Sequence, residues 1–309
     1  MDQPSSQPRF SILIPVYNRP ELVRLTVDSV LAQTFTDYEV IVIDDGSTDQ
    51  TVEMLRAYGP RLKLLQQPNS GAEVARSKGA AIATGEYFVI LDSDDLLYPT
   101  ALANYDRVIR ARQAPPVILG AMCHFRHGTA PPENRAGDDL IQLVQFPDFL
   151  AKDRQVGLSC SIIVVKRSVA EACGALRKNA AAFPFDGTDI MLLLGTCAPC
   201  VLLQRPFTVA YRVHDANVSG RLEYLLQYTA CLARYERLGH YPGGAARWFD
   251  RYAYVGGVSW YYASRGLRRG LFKLSLALLL RAFPMVAIGA INTVRRRLRP
   301  PAPLITLPP

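Results

Sequence analysis

Four short, mostly apolar runs organise the first third of the chain. Phe10 to Val16, Glu39 to Ile43, Leu62 to Leu65 and Glu86 to Leu91 are bounded by turn residues, the pattern of buried strands. Between them the apolar spacing turns helical. Val23, Val27, Val30 and Leu31 share one face of a helix that Asn18 is expected to cap and Pro20 to open. Ser47 with Gln50, and Ser70 with Glu73, read as capping boxes for two more helices, and Gly85 reads as the C-cap of the second. Asp95 is expected to cap a helix around Leu97 to Ala111. Strands alternating with helices predict an α/β fold with a mostly parallel sheet, whose ligands sit beyond the carboxyl ends of the strands. Three polar clusters fall at that edge: Tyr17-Asn18, Asp44-Asp45 and Asp92-Ser93-Asp94.

The second half is patterned less sharply. Val117 to Phe125, Ile162 to Val165, Val201 to Leu203 and Val209 to Tyr211 read as strands, Pro131 to Asp139 as a loop and Asp189 to Leu194 as the start of a helix. From Glu223 onward the chain reads helical. Charge separates this end from the rest. The formal net charge is +8, and eight basic residues with no Asp or Glu lie between Gly266 and Pro309, so the remainder is formally neutral. That distribution argues against a nucleic-acid partner, which calls for a basic face spread over the fold. The segment Gly266–Arg299 interleaves its cations with Leu271, Phe272, Leu274, Leu276 and Leu278. It reads either as peripheral contact with an anionic membrane or as a helix packed on the domain with arginines reaching water. The longest candidate for a membrane span, Leu274 to Val294, is interrupted by Arg281 and Pro284. The six cysteines include one CxxC pair, Cys197 and Cys200, without the second pair a zinc site needs. Reduced thiols and a polar N-terminus lacking an apolar signal core point to the cytoplasm.

The acidic clusters carry the candidate chemistry. Asp92, Asp94 and Asp95 follow an apolar strand, where carboxylates repel one another unless a cation sits among them. Oxygen ligands suit magnesium or manganese, bridged to substrate phosphates; the same residues would also serve as a helix-capping turn. Asp44 and Asp45 could accept hydrogen bonds from a base or ribose, or could form an Asx turn leading to Ser47. Neither G-x-G-x-x-G nor G-x-x-x-x-G-K-[ST] occurs, which disfavours a dinucleotide cofactor and a P-loop ATPase.

Four segments, in this order and spacing, resemble glycosyltransferase family 2: Ile14-Pro15-Val16-Tyr17-Asn18-Arg19, Val42-Ile43-Asp44-Asp45-Gly46-Ser47-Thr48-Asp49, Asn69-Ser70-Gly71-Ala72 with Ala75-Arg76, and Leu91-Asp92-Ser93-Asp94-Asp95. The resemblance implies a GT-A fold, with a mostly parallel Rossmann-like sheet flanked by helices and a mainly helical C-terminal extension. It implies inverting transfer from a nucleoside-diphosphate sugar, expected to be a UDP-sugar, to a hydroxyl of a glycan or lipid-linked acceptor, with Mn2+ or Mg2+. Residues 1–8 would be a flexible N-terminus, 9–112 the nucleotide-binding half, 113–220 the acceptor-binding half and 221–309 the helical region. Pro15, Tyr17, Asp44, Asp45, Arg76, Asp92, Ser93 and Arg212 would bind the donor. Asp94 and His214 would hold the metal, the latter within Tyr211-Arg212-Val213-His214 and Asn217, Ser219, a string similar to one in the family. Asp189 would be the general base, with Asp186 a rival. Thr188 stands where the family usually has glutamate, and Ser77 where it often has asparagine. The alternative is an inactive sugar-nucleotide-binding or scaffold subunit of a membrane-associated glycan assembly complex. A nucleotidyltransferase would call for a Gly-rich basic loop in place of Pro15-Val16-Tyr17-Asn18.

Overall fold

The apolar runs become the centre of a nine-stranded sheet in the computed structural model, which describes residues 7–134, 140–176, 187–215, 217 and 220–308. The first four strands are β1 (Phe10–Val16), β2 (Tyr38–Asp44), β3 (Lys63–Gln66) and β4 (Tyr87–Ile90), followed by the two-residue β5 (Leu96–Leu97). Then come β6 (Val117–Leu119), β7 (Met122–Arg126), β8 (Ile141–Phe146), β9 (Ile163–Lys166), β10 (Cys200–Arg205), β11 (Val209–Val213) and β12 (Ile305–Leu307). The large sheet has the order β12-β8-β10-β6-β9-β4-β1-β2-β3, and β5-β11-β7 form a small second sheet.

Helices fill the intervals. The first four are α1 (Pro20–Leu31), α2 (Thr51–Arg56), α3 (Ala72–Ile82) and α4 (Ala101–Ala111). Then follow α5 (Arg167–Cys173) and α6 (Gly187–Leu193). The C-terminal region holds α7 (Leu222–Arg237), α8 (Trp248–Arg268), α9 (Phe272–Arg281) and α10 (Met285–Arg297). The core is continuous across the sheet because β1, the distal part of β2, and β4 are buried on both faces.

The expected α/β fold is present, with a sheet that is parallel across β1 to β4 and mixed beyond them. β1 runs parallel to β2 and β4, and β2 parallel to β3. β9 runs antiparallel to both β4 and β6. The expected single strand from Val117 to Phe125 divides at Gly120-Ala121 into β6 and β7, which belong to different sheets. Three strands carried too little local signal to be predicted: the two-residue β5, whose Leu97 fell in the expected helix, β8 and the three-residue β12. The Pro131 to Asp139 loop is without regular structure over 131–134, and 135–139 lie outside the described residues.

None of the predicted side-chain caps forms, and several of their residues make other contacts instead. Arg19, not Asn18, is the N-cap residue of α1, and it makes no side-chain cap. Asn18 instead ties the first loop to the second: its N–H donates to Ser47 Oγ at 2.9 Å and its Oδ1 accepts from Thr48 N at 2.8 Å. The N-cap positions of α2 and α3 are Gln50 and Gly71, without side-chain caps. Thr100, not Asp95, precedes α4. Gly85 is not a C-cap, since α3 ends at Ile82. A Cβ there would lie 2.6 Å from Ser11 N, so glycine permits close entry into β4.

Glu39 secures that same entry. Its Oε1 accepts from Ser11 Oγ at 2.6 Å, Thr84 N at 2.6 Å and Thr84 Oγ1 at 2.9 Å, while Lys63 Nζ lies 2.6 Å from Oε2. Burial alone would raise its pKa, but the bonds from Lys63, Ser11 and Thr84 outweigh it and bring it from 4.5 down to about 2. The folded state therefore holds fewer protons here than the unfolded state. The stabilisation is complete above about pH 4.5 and fades as pH falls through about 2. Glu39→Gln should cost on the order of 2–3 kcal/mol in urea unfolding at pH 7 and much less at pH 3. An equal cost at both pH values would show that the ionised form contributes nothing.

Candidate active site

The three polar clusters expected at the sheet edge do meet. β1 lies between β2 and β4, so Tyr17-Asn18-Arg19, Asp44-Asp45 and Asp92–Asp95 leave adjacent strands at the same end. Pro15 is buried in β1, whereas Tyr17 is exposed just beyond it. Asp44 is buried and accepts from Ser47 N at 3.2 Å. Asp45 is also buried and spans a loop: Oδ1 accepts from Gln67 Nε2 at 2.6 Å and Ser70 N at 2.8 Å, and Oδ2 from Gly71 N at 2.8 Å. It thereby satisfies backbone donors at the entry of α3, where the capping box was expected.

The acidic run after β4 divides into three environments. Asp92, the most open, accepts from the buried Arg76 Nη2 at 2.5 Å. Asp94 Oδ2 lies 2.6 Å from Arg19 Nη1 and 3.0 Å from His214 Nε2. Asp95 is fully buried and accepts from Ser161 Oγ at 2.6 Å and Arg212 N at 2.9 Å. Burial pushes the Asp95 carboxyl well above the usual carboxylate range; Asp94 and Asp92 push it further, while Ser161 and Arg212 act against this. Ser161 Oγ also accepts from Asp92 N at 3.1 Å. Ser93 is buried between these partners in sequence.

Strand register explains how the second half reaches this point. β5 follows Asp95 directly and pairs antiparallel with β11, Leu97 opposite Val209 and Leu96 opposite Ala210. Continuing that register carries Tyr211 and Arg212 back alongside Asp95 and Asp94, with His214 just beyond. Arg212 Nε donates to Asp94 O at 2.8 Å, and its guanidinium lies 4.6 Å from the Phe125 ring centroid. Burial pulls the Arg212 pKa below its usual value, opposed by Asp95 and Asp94. Asn217 braces the turn, its Oδ1 accepting from His214 N and its Nδ2 donating to Arg212 O at 3.1 Å.

Asp189 sits in the first turn of α6 and is 2% exposed. Tyr241 OH, from the loop after α7, donates to its Oδ1 at 2.5 Å. Gly187, at the start of the same helix, abuts Ser159 and Cys160, with an added Cβ only 3.3 Å from Cys160 N. Asp189 is therefore carried by a turn packed on the segment that includes Ser161. Asp186 and Ser219 lie outside the described residues. Among the described residues no three His, Cys, Asp or Glu side chains group to hold a metal by themselves. Asp94 and His214 supply a two-residue nucleus, one oxygen and one nitrogen, of a kind that suits a divalent cation completed by phosphate oxygens.

Residues 11–128, which contain all the strand-end clusters above except the β11 pair, match the family model described as Glycosyl transferase family 2. This domain belongs to glycosyltransferase family 2. The family 2 domain is similar to the uncharacterized glycosyltransferase YibD of Escherichia coli K12, 43% identical over 99 residues, covering 31% of this chain and 29% of that protein. It is likewise similar to chondroitin synthase of Pasteurella multocida, 43% identical over 98 residues, covering 31% of this chain and 10% of that one. The chain thus spans less than a third of the length of these curated relatives. Over a longer range the architecture resembles S. aureus TarS residues 1–349 in complex with UDP-GlcNAc, with a TM-score of 0.65 at 17% identity over 89% of this chain and 79% of that one. The likeness extends the GT-A fold well beyond the matched domain.

Several residues around the family 2 site escaped the sequence reading. Arg19 stood inside the first motif, but its pairing with Asp94 depends on β1 and β4 being neighbours. Ser161 and Tyr241 lie outside every motif, and only tertiary packing brings them to Asp95 and Asp189.

Proposed function

We propose that this chain is an inverting glycosyltransferase that moves a sugar from a nucleoside-diphosphate sugar to a hydroxyl of a glycan or lipid-linked acceptor, with a divalent cation. One observation carries the reading: Asp94 is held at a shared strand-end site by a guanidinium from the β1 loop and an imidazole from β11. Pro15, Tyr17 and Asp44 line the base pocket, and Asp45 keeps the loop before α3 in place. Arg76 and Asp92 face the ribose and diphosphate, with Ser93 between the two acidic residues. Asp94 and His214 would hold the cation, Mn2+ or Mg2+, which when bound would supply positive charge beside the departing diphosphate. Arg19 and Arg212 add charge at the same place. Asp189 accepts the acceptor hydroxyl's proton as it attacks the anomeric carbon, and the two groups are held in line by the pocket.

The UDP-GlcNAc and UDP complexes of TarS support a UDP-linked donor. Residues 9–112 would bind the nucleotide and 113–220 the acceptor, with 221–309 bracing Asp189 through Tyr241. The tail would rest on the inner face of a cytoplasmic membrane, where a lipid-linked acceptor is accessible.

Two protein ligands hold a cation weakly, so metal and donor should bind together. Mn2+ alone should shift the melting temperature little, whereas Mn2+ with UDP-GlcNAc or another UDP-sugar near a hundred times its Kd should raise it by roughly 5 °C or more. If no nucleotide sugar shifts melting with metal present, the reading fails. Donor binding without nucleoside diphosphate release to any acceptor would favour the scaffold alternative, which Thr188 motivates.

A further inference from the structure

A cavity of about 460 Å3 lies away from the strand-end site, between the 147–152 segment, the start of α8 and the end of α10. It is lined by five cationic side chains and two carboxylates. The carboxylates are already engaged. Asp148 takes Arg247 Nη1 at 2.6 Å and Nη2 at 2.9 Å, and Asp250 takes Arg247 Nε at 2.8 Å. Lys152, Arg295, Arg296 and Arg299 form no ion pair among the described residues. Lys152 is 4% exposed, donates to Phe149 O at 3.2 Å and stands over the Phe149 and Tyr254 rings. Burial pulls its pKa well below the usual lysine value; Arg296 adds to this, while Cys200, Asp148 and Asp250 act against it.

This arrangement is fixed by packing. α10 crosses α8 at backbone contact, a Cβ on Gly256 falling 1.9 Å from Met285 O. Beyond α10, Arg154 Nη2 donates to Ala302 O at 3.1 Å, and β12 then pairs with β8. The arginine end of α10 is therefore tied down on both sides.

We propose that this cavity binds the phosphate of an anionic phospholipid headgroup. The occupant follows from the neighbouring surface. Ile291 and Val294 of α10 and Leu298 just past its end are 58%, 59% and 81% exposed. At about 100° per residue, Arg295 stands about 40° around the helix from Ile291, and Arg299 follows two residues past the end of α10. Phe272, Leu276 and Leu280 of α9 are exposed at 63%, 57% and 68%. No single described helix is long and apolar enough to cross a membrane, and α9 with α10 pass that test only as a pair bent by 80°. An apolar stripe bordered by unpaired arginines suits a helix lying in the headgroup region. The inference rests on the proposed membrane contact of 266–299 and adds a headgroup site to it.

Co-sedimentation of the full chain with phosphatidylglycerol and phosphatidylcholine vesicles tests it. The wild type should bind only the former. R295Q/R299Q should weaken that binding about thirtyfold, and R268Q/R269Q, an equal charge loss outside the cavity, less than about threefold. K152M should weaken it about tenfold, because a buried amine feels the lipid only if a phosphate enters. Melting temperature checks the folding of each variant; should K152M not fold, the two arginine pairs decide. Equal losses from the two arginine pairs, or wild-type binding by folded K152M, overturn the headgroup site while leaving membrane contact standing. No wild-type binding to either vesicle overturns both. A melting shift with inorganic phosphate that K152M abolishes, without vesicle binding, assigns the cavity to a soluble phosphate and also overturns the lipid proposal. Donor-induced melting shifts should be unchanged in every folded variant.

Discussion

Asp94→Asn should lower kcat/KM for sugar transfer by about a thousandfold, the scale of losing the charge that stabilises a departing diphosphate. The geometry makes the change local. Asp94 Oδ2 is reached by both Arg19 and His214, at 2.6 and 3.0 Å. An asparagine keeps the size and removes the anion, so a cation loses its charged oxygen ligand while β4 and β5 keep their places. The shift in melting temperature with Mn2+ and donor should vanish together with turnover. Steady-state release of nucleoside diphosphate, beside melting with and without metal, measures both. Activity within about threefold of wild type would place the cation elsewhere.

Asp189→Asn should reduce turnover by about 10²–10⁴-fold while leaving the metal-dependent donor shift intact, because a general base acts on the acceptor. The asparagine can still accept from Tyr241 OH through its amide oxygen, so α6 should keep its place. That separates the two acidic roles: Asp94→Asn should lose donor binding and turnover, and Asp189→Asn turnover alone. An unchanged rate in Asp189→Asn, with loss in Asp186→Asn, would move the base to Asp186.

What could be read in the sequence follows from where each residue's partner lies. β1, β2 and β4 were legible because strands buried on both faces write themselves as apolar runs, and the acidic clusters mark where those runs end. The caps failed for the opposite reason. Ser47 spends its hydroxyl on Asn18 N, 29 residues away, and the donors before α3 go to Asp45 rather than to Ser70 or Glu73. A short pattern of polar residues looks the same whether its partner is local or tertiary. Asp95 shows this most clearly, since a residue that reads as a helix cap instead joins Ser161 to β11. Tyr241 belongs to a region with no motif, and its contact with Asp189 follows from the packing of the C-terminal helices. β12 has too few residues to form on propensity and exists through its pairing with β8.

That last strand also covers what would be an edge of the large sheet. β8 would otherwise be the outermost strand of the large sheet, with Ile141, Leu143 and Val144 along it. Open backbone flanked by such side chains invites another chain to add itself there. Ile305-Thr306-Leu307 occupies the position first, from the same molecule. A tag or fusion that pulls residues 302–307 away would therefore expose an adhesive edge and promote self-association, even with every strand-end side chain still in place.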